Sequence, residues 1–250
     1  MPDAIKLCVL GPSGRMGQQV VGLANAHSSF DLASTFDGPG TGKSTAAEAL
    51  SKAQVYIDFT TPASTAAAAR EALAHKTAAV VGTTGLSEEA EQALSELAKV
   101  APVFVAANFS PGVALLLHLA EKASAALGSD YDLEVVEMHH RNKVDSPSGT
   151  ALALGKALAK GRGLDFEAAQ LTGRDGQVGA RTDSEIGVFA VRGGDIVGEH
   201  TAYLIGAEER VEITHRAQKR SIFATGALRA AQWLVTQPPG RYCMADLLGF

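Results

Sequence analysis

The chain has 250 residues, 46% of them hydrophobic and only 6% aromatic, enough apolar side chain for one large domain or two modest ones with cores of their own. Its net charge of -5, from 22 basic and 27 acidic side chains, leaves no basic footprint for nucleic acid, and no apolar run approaches the roughly 18 residues of a membrane span. The two cysteines, Cys8 and Cys243, lack metal or redox spacing, and the opening MPDAIKLCVLGPSG lacks a signal-peptide pattern, so the expectation is a soluble cytoplasmic protein with reduced thiols.

Along the first 110 residues short apolar runs alternate with alanine-rich helical stretches. IKLCVLG (Ile5–Gly11) reads as a buried strand and RMGQQVVGLANAH (Arg15–His27) as the helix after it. FDLASTFD (Phe30–Asp37), VYIDFT (Val55–Thr60), AAVVGTT and PVFVAANF read as further strands, with helices over TAAEALSKA, Pro62–His75 and SEEAEQALSELAKV between them. Pro62 suits a first helical turn, and the acids of SEEAEQ suit a positive helix end. Such alternation predicts an α/β fold with a Rossmann-like, doubly wound parallel sheet.

At NFSPGVALLLHLAEKASAAL the texture changes, with Ser110 as a cap and Pro111 as a first helical residue. DLEVVEMHH, a Gly-rich polar stretch (Gly161–Arg181), and the β-rich runs IGVFAVR, DIVGEHTAYLIG and RVEITHRA follow. The short joints GG and AEE predict antiparallel neighbours. We therefore expect residues 111–219 to form a second, α+β domain with a mainly antiparallel sheet, and the helical 220–250 segment to complete the first domain, residues 1–110. The β-rich segment Glu185–Arg216 has too few strands to cover both faces of its sheet, which predicts a partner subunit.

FDGPGTGKST (Phe36–Thr45) resembles a phosphate-binding P-loop but puts Asp37 where that loop needs its first glycine. GPSGRMG, spanning Gly11, Pro12, Ser13, Gly14, Arg15, Met16 and Gly17, lies between a strand and a helix, as in a dinucleotide-binding turn, with Ser13 in place of the second glycine. Asp37 ends the second strand 20 residues beyond Gly17, where a carboxylate accepts hydrogen bonds from an adenosine ribose. Two more loops follow strand ends: GTTG, with Gly82, Thr83 and Thr84, and AANF, with Ala106, Ala107, Asn108 and Phe109. Gly82 and Thr83 are placed to approach a nicotinamide ribose and Phe109 to flank the ring.

EVVEMHHRNKVDSPSGTALALGKAL gathers His139, His140, Arg141 and Lys143 ahead of a helix start for which Ser146 and Pro147 read as cap and first turn. Amide groups near Gly149 and Thr150 would then face an anion, and the cationic cluster suits a substrate with carboxylates. No metal site is expected, because adjacent histidines on a strand point to opposite faces and no third ligand follows at suitable spacing.

GPSGRMG, IDFTTP, VVGTTG, AANFSPGV, EMHHRNKVDSPSGTA and GDIVGEHTAYL occur in the order found in the dihydrodipicolinate reductase (4-hydroxy-tetrahydrodipicolinate reductase) family, which the chain resembles from Ile5 to its C-terminal helix. The resemblance implies NADH- or NADPH-dependent reduction of a cyclic dicarboxylate in lysine and diaminopimelate synthesis, and a homotetramer. It implies His139 as catalytic histidine, Lys143 as proton donor, and His140, Gly149 and Thr150 as substrate-carboxylate contacts. It assigns Gly11–Met16, Asp37, Gly82–Thr84 and Ala106–Phe109 to the dinucleotide. Gly38 stands where members that use NADPH well tend to carry an arginine, so NADH is the expected preference, with Lys43 a partial counter-charge for NADPH. The alternative is a dinucleotide-binding redox sensor without catalysis, which has no need of a proton donor.

Overall fold

The computed structural model describes residues 4–38 and 45–250. Lys43, with its expected counter-charge role, and the Gly42–Ser44 tail of the P-loop comparison lie outside the described residues. The chain divides into two compact units, Met1–Ser110 with Ser221–Phe250, and Pro111–Arg220.

In the first unit, β1 (Ile5–Leu10), β2 (Phe30–Phe36), β3 (Val55–Asp58), β4 (Ala78–Val81) and β5 (Pro102–Val105) alternate with α1 (Arg15–Asn25), α2 (Ala46–Leu50), α3 (Pro62–His75) and α4 (Glu88–Leu97). Among the described residues the sheet has six strands, all parallel, in the order β11-β5-β4-β3-β1-β2, where β11 is Gly240–Tyr242 from the C-terminal segment. The chain steps outward from β1 to β2, then returns past β1 to β3, so the order reverses between β1 and β3. Ligands of such sheets bind outside the carboxyl ends of the strands at that reversal.

Every residue of β3 and β4 is buried, as strands covered on both faces require. Cys8, Leu10, Tyr56, Ala79, Val81 and Val103 share a core with Leu50 of α2, Ala69 of α3 and Leu94 of α4. The helix α8 (Ser221–Leu234) packs on β3, β4, β5 and α1. Alanines of α3 (Ala66, Ala68, Ala69 and Ala72) are all buried, and their small side chains let the helix backbone lie close to the sheet. Thr61 caps that helix by accepting the Ser64 N–H, and Lys76 ends it in the left-handed region at φ 52°.

The second unit has β6 (Asp132–His139), β7 (Gln170–Leu171), β8 (Ile186–Arg192), β9 (Gly198–Ile205) and β10 (Arg210–Ala217), with α5 (Pro111–Leu127), α6 (Gly149–Arg162) and α7 (Phe166–Ala169). Its sheet is mixed, in the order β10-β9-β6-β8-β7. β9 pairs antiparallel with β10 and β6, whereas β8 runs parallel to β6 and β7. The short GG joint therefore does not make β8 and β9 neighbours, as its length predicted. It arches over the end of β6, held by the Gly193 N–H to His139 O at 3.0 Å, the His140 N–H to Ile196 O at 2.8 Å and the Arg141 N–H to Gly194 O at 3.2 Å.

Alternation along β6 buries Leu133, Val135, Glu137 and His139 on one face. The face changes character along its length. Leu133 and Val135, with Ile186, Val188, Ala202 and Leu204, pack under Leu116 of α5 and Leu154 and Leu158 of α6, each such leucine worth about 1.5–3 kcal/mol of burial. Glu137 and His139 continue the same face into a buried polar end, beside His200 of β9.

Candidate active site

The polar end of the second unit is organised around one carboxylate. Glu137 is fully buried and accepts from Arg192 Nη1 and Nη2, both at 2.8 Å, and from the Ser148 N–H at 2.9 Å. Its Oε2 also lies 2.6 Å from His139 Nδ1. Burial alone would raise its pKa, but the bonds from Arg192, His139 and Ser148 prevail and hold it below the usual carboxylate range. Burial lowers the pKa of His139, against the opposing pull of Glu137, and so favours the neutral ring.

The His200 ring lies 5.1 Å from that of His139 at an interplanar angle of 75°. Its Nε2 is 3.1 Å from Ser148 Oγ, and its Nδ1 has no hydrogen-bond partner among the described residues. Burial, with His139 nearby, pushes its pKa down to about 4.

The sequence placed the cap of α6 at Ser146, but the structure places it at Ser148. Its Oγ accepts the Ala151 N–H at 3.2 Å, while Ser146 and Pro147, joined by a cis peptide, precede the helix. Ser148 wins because its own N–H is tied to Glu137, which fixes the turn two residues later. Gly149 and Thr150 are the first two residues of α6, at its positive end. Lys143 Nζ pairs with Asp145 Oδ1 at 2.9 Å, and Arg192 Nη2 also donates to Asp145 O at 2.7 Å. His140 turns away from Glu137, with Arg220 Nη2 2.7 Å from its Nε2. Arginine only donates, so that nitrogen accepts.

In the first unit the predicted dinucleotide residues do fall at the carboxyl edge of the sheet. Gly11–Gly14 link β1 to α1, Arg15 and Met16 open α1, Asp37 follows β2, Gly82–Thr84 follow β4 and Ala106–Phe109 follow β5. Gly14 caps α1 without a side-chain hydrogen bond. A Cβ at Gly17 would lie 1.9 Å from Gly11 O, so only glycine lets the helix approach its own entry turn so closely. Asp37 Oδ1 accepts from Ser13 Oγ at 2.8 Å.

Two expectations change here. Phe109 is 1% exposed and its ring packs on Phe59 and Phe104, with centroids 5.4 and 5.8 Å apart, so the ring belongs to the core rather than beside a nicotinamide. Thr83 is buried too, its hydroxyl 3.0 Å from Thr65 Oγ1 and accepting the Thr60 N–H at 3.1 Å. Thr60 and Thr65 converge on Asp58, a fully buried carboxylate that accepts from Thr65 Oγ1 at 2.6 Å and Thr60 Oγ1 at 2.5 Å. Burial raises the pKa of Asp58, partly offset by these bonds.

Glu137, Arg192, His200, Arg220 and Asp58 were missed from the sequence. Glu137 had a usable signal: two residues before His139 on a strand, it must share its face. Arg192 and His200 lie more than 50 residues beyond Glu137 and become its neighbours only through the sheet order, and Arg220 meets His140 across 80 residues of sequence.

Family models of dihydrodipicolinate reductase match almost the whole chain, its N-terminus over residues 5–109 and its C-terminus over residues 112–248. The chain belongs to the dihydrodipicolinate reductase family. A 4-hydroxy-tetrahydrodipicolinate reductase of Sulfurovum sp. (strain NBC37-1) is 45% identical over 253 residues, covering 98% of this chain and 99% of that protein. One of Acidiphilium cryptum (strain JF-5) is 46% identical over 247 residues, covering 98% of each. Among solved structures, a dipicolinate-bound dihydrodipicolinate reductase from Paenisporosarcina sp. TG-14 shares the fold with TM-score 0.77 at 23% identity, covering 97% of this chain and 98% of that one.

As a member of that family, the chain is an oxidoreductase with a Rossmann-type dinucleotide-binding fold. The residues present fit the dinucleotide: a glycine-clamped turn, an uncapped helix start for a pyrophosphate, and a carboxylate held at the end of β2 for a ribose. Among the described residues no group of His, Cys, Asp and Glu could hold a metal ion, and no helix is long and apolar enough to cross a membrane.

Proposed function

We propose that this chain reduces 4-hydroxy-tetrahydrodipicolinate to tetrahydrodipicolinate with NADH or NADPH, in diaminopimelate and lysine synthesis. The observation that carries the reading is 45–46% identity to reductases of that name across 98% of the chain, with His139 and Lys143 at the organised end of β6. A dinucleotide held at the carboxyl edge of the parallel sheet would supply the hydride for the substrate ring. His139 contacts the substrate there, and Lys143, as an ammonium, stabilises the enamine-like anion and gives it a proton. His140, with the amides of Gly149 and Thr150 at the start of α6, holds the carboxylates. Gly11–Met16, Asp37, Gly82–Thr84 and Ala106–Phe109 hold the dinucleotide, Thr83 and Phe109 through their backbone. Residues 1–110 with 220–250 form the dinucleotide-binding domain, and residues 111–219 the substrate and assembly domain.

NADH is preferred, because the Asp37 carboxylate accepts from ribose hydroxyls and repels a 2′-phosphate, and Gly38 offers no charge against it. The protein works in the cytoplasm as a homotetramer. The outward face of the second sheet supports this assembly, because Met138, Val191 and Ile205 expose 36%, 46% and 37% of their surface there. A non-catalytic sensor would have no use for a buried carboxylate–histidine pair beside a lysine.

The test follows nicotinamide absorbance with substrate generated in place by dihydrodipicolinate synthase. Substrate-dependent oxidation of the cofactor is expected. Tight dinucleotide binding without turnover would leave the sensor reading in its place.

A further inference from the structure

We infer that Glu137, clamped by Arg192, is a positioning residue that fixes the tautomer and the ring plane of His139 and ties them to the start of α6. The inference rests on the proposed role of His139 in the reduction. It begins from the hydrogen-bond inventory. An ionised carboxylate only accepts, so the 2.6 Å contact between Glu137 Oε2 and His139 Nδ1 requires the proton on Nδ1. In the neutral ring Nε2 then carries the lone pair.

The other edge of the ring is shaped to match. A Cβ at Gly198 would stand 3.0 Å from His139 Nε2, so any other residue at the start of β9 would press on that nitrogen. Gly198 keeps the Nε2 side open, while Glu137 holds the Nδ1 side closed.

The carboxylate does more than orient one ring. Arg192 meets it through two nitrogens, each 2.8 Å from a different oxygen, and its Nη2 also holds Asp145 O at 2.7 Å. Glu137 Oε1 takes the Ser148 N–H at 2.9 Å, the residue that caps α6. One buried anion therefore joins β6, β8, the 140–148 turn that carries Lys143, and the helix that begins at Gly149. Displacing it would misplace the histidine and the helix start together, and a small misplacement in such a site costs rate heavily.

The charged and titratable groups around the pair are Arg192 on β8, His200 on β9 with His215 beside it on β10, and Lys143 in the turn. Arg192 and Lys143 favour the neutral ring and Glu137 the charged one. Glutamine at position 137 removes the negative charge and presents an N–H2 group either to His139 Nδ1 or to the Arg192 guanidinium. The first arrangement favours the opposite tautomer, and the second sets donor against donor.

The experiment has two arms. Nitrogen-15 chemical shifts of the His139 ring in the wild-type protein, assigned by its loss in His139→Gln, are expected to show Nδ1 protonated and Nε2 unprotonated near pH 7.5. Kinetics of Glu137→Gln are expected to show kcat reduced at least 30-fold with KM for the dinucleotide changed less than threefold. Glu137→Asp should recover part of the loss, and the low-pH limb of the kcat profile should move in Glu137→Gln. Protonation of wild-type His139 at Nε2 alone would overturn the inference whatever the variants do, as would a folded Glu137→Gln enzyme within threefold of wild-type kcat. The His139 reading is judged separately. If His139→Gln is fully active, that reading fails, while the tautomer measurement still decides what Glu137 does to the ring.

Discussion

Ser13 donates its hydroxyl to Asp37 Oδ1 at 2.8 Å, and its backbone N–H reaches the same oxygen at 3.3 Å. The residue that replaces a glycine of the dinucleotide pattern thus holds the pattern's own acid in place at the end of β2. We expect Asp37→Ala to raise KM for NADH about tenfold with little change in kcat, and to narrow the ratio of kcat/KM between the two dinucleotides. Ser13→Ala should do the same more weakly. A wild-type preference for NADPH of tenfold, about 1.4 kcal/mol, would defeat the assignment of Asp37 as the discriminating charge. Comparing NADPH kinetics in wild type and Lys43→Ala tests whether the lysine offsets that charge, and no change removes it from the account.

Lys143→Ala is expected to lower kcat about 100-fold, within the range for a positioned acid–base group, and Thr150→Ala to raise KM for the substrate with a smaller effect on kcat. Steady-state kinetics on folded variants decide this. A Lys143→Ala enzyme with near wild-type kcat means that the proton comes from elsewhere.

His200 gives the protein a pH-dependent stability of definite sign. Burial first, and His139 second, push its pKa from 6.5 in the unfolded chain to about 4 in the folded one. Between those values the unfolded chain binds the extra proton. The stabilisation that comes from keeping the ring neutral is therefore complete above about pH 6.5 and drains away as the pH falls towards 4, by about 3 kcal/mol in all. Urea denaturation of wild type and His200→Gln at pH 7 and pH 4.5 measures it. The wild type should lose more stability over that interval than the variant, and equal losses would show that His200 is not the group responsible.

Gly17→Ala should destabilise the first unit by about 1–3 kcal/mol, because the added methyl meets Gly11 O at 1.9 Å and the helix has to shift from the entry turn. The same shift should weaken dinucleotide binding, measured by titration of intrinsic fluorescence. An alanine variant as stable as wild type would show that the turn yields without cost.

Assembly can be read by sedimentation at micromolar concentration, where four chains of 25.8 kDa are expected to travel together. Met138→Lys combined with Val191→Lys should dissociate them, because both side chains lie on the outward sheet face. A wild-type monomer would refute the tetramer.

The first unit was legible because its strands are buried on both sides and read as plain apolar runs between alanine-rich helices. Its sixth strand was not, since Gly240–Tyr242 is three residues long and follows two prolines. The second unit was legible in its elements and misleading in one pairing. Joint length predicted a hairpin between β8 and β9, but β6 enters from far upstream, with Leu133 paired to Ile186, and separates them, an effect no local pattern carries. The same gap explains the site. His139, Lys143, Gly149 and Thr150 lie in one short segment and could be found there, whereas Arg192 and His200 reach Glu137 only after the sheet has formed. Phe109 shows the converse: its loop follows a strand end as expected, yet its ring is drawn inward by Phe59 and Phe104.

The division of the chain also sets an order of events during synthesis. The second unit lies wholly between two pieces of the first, and α8 and β11 reach the parallel sheet only from the C-terminal piece. As the chain leaves the ribosome, residues 111–220 emerge complete and can close their core while the earlier sheet still lacks its edge strand and the helix over β3 to β5. The half made first is finished last, so the early strands wait with one side of their apolar surface uncovered. A stop placed after residue 220 would therefore keep every residue of the second unit and strip the parallel sheet of its final strand and one covering helix.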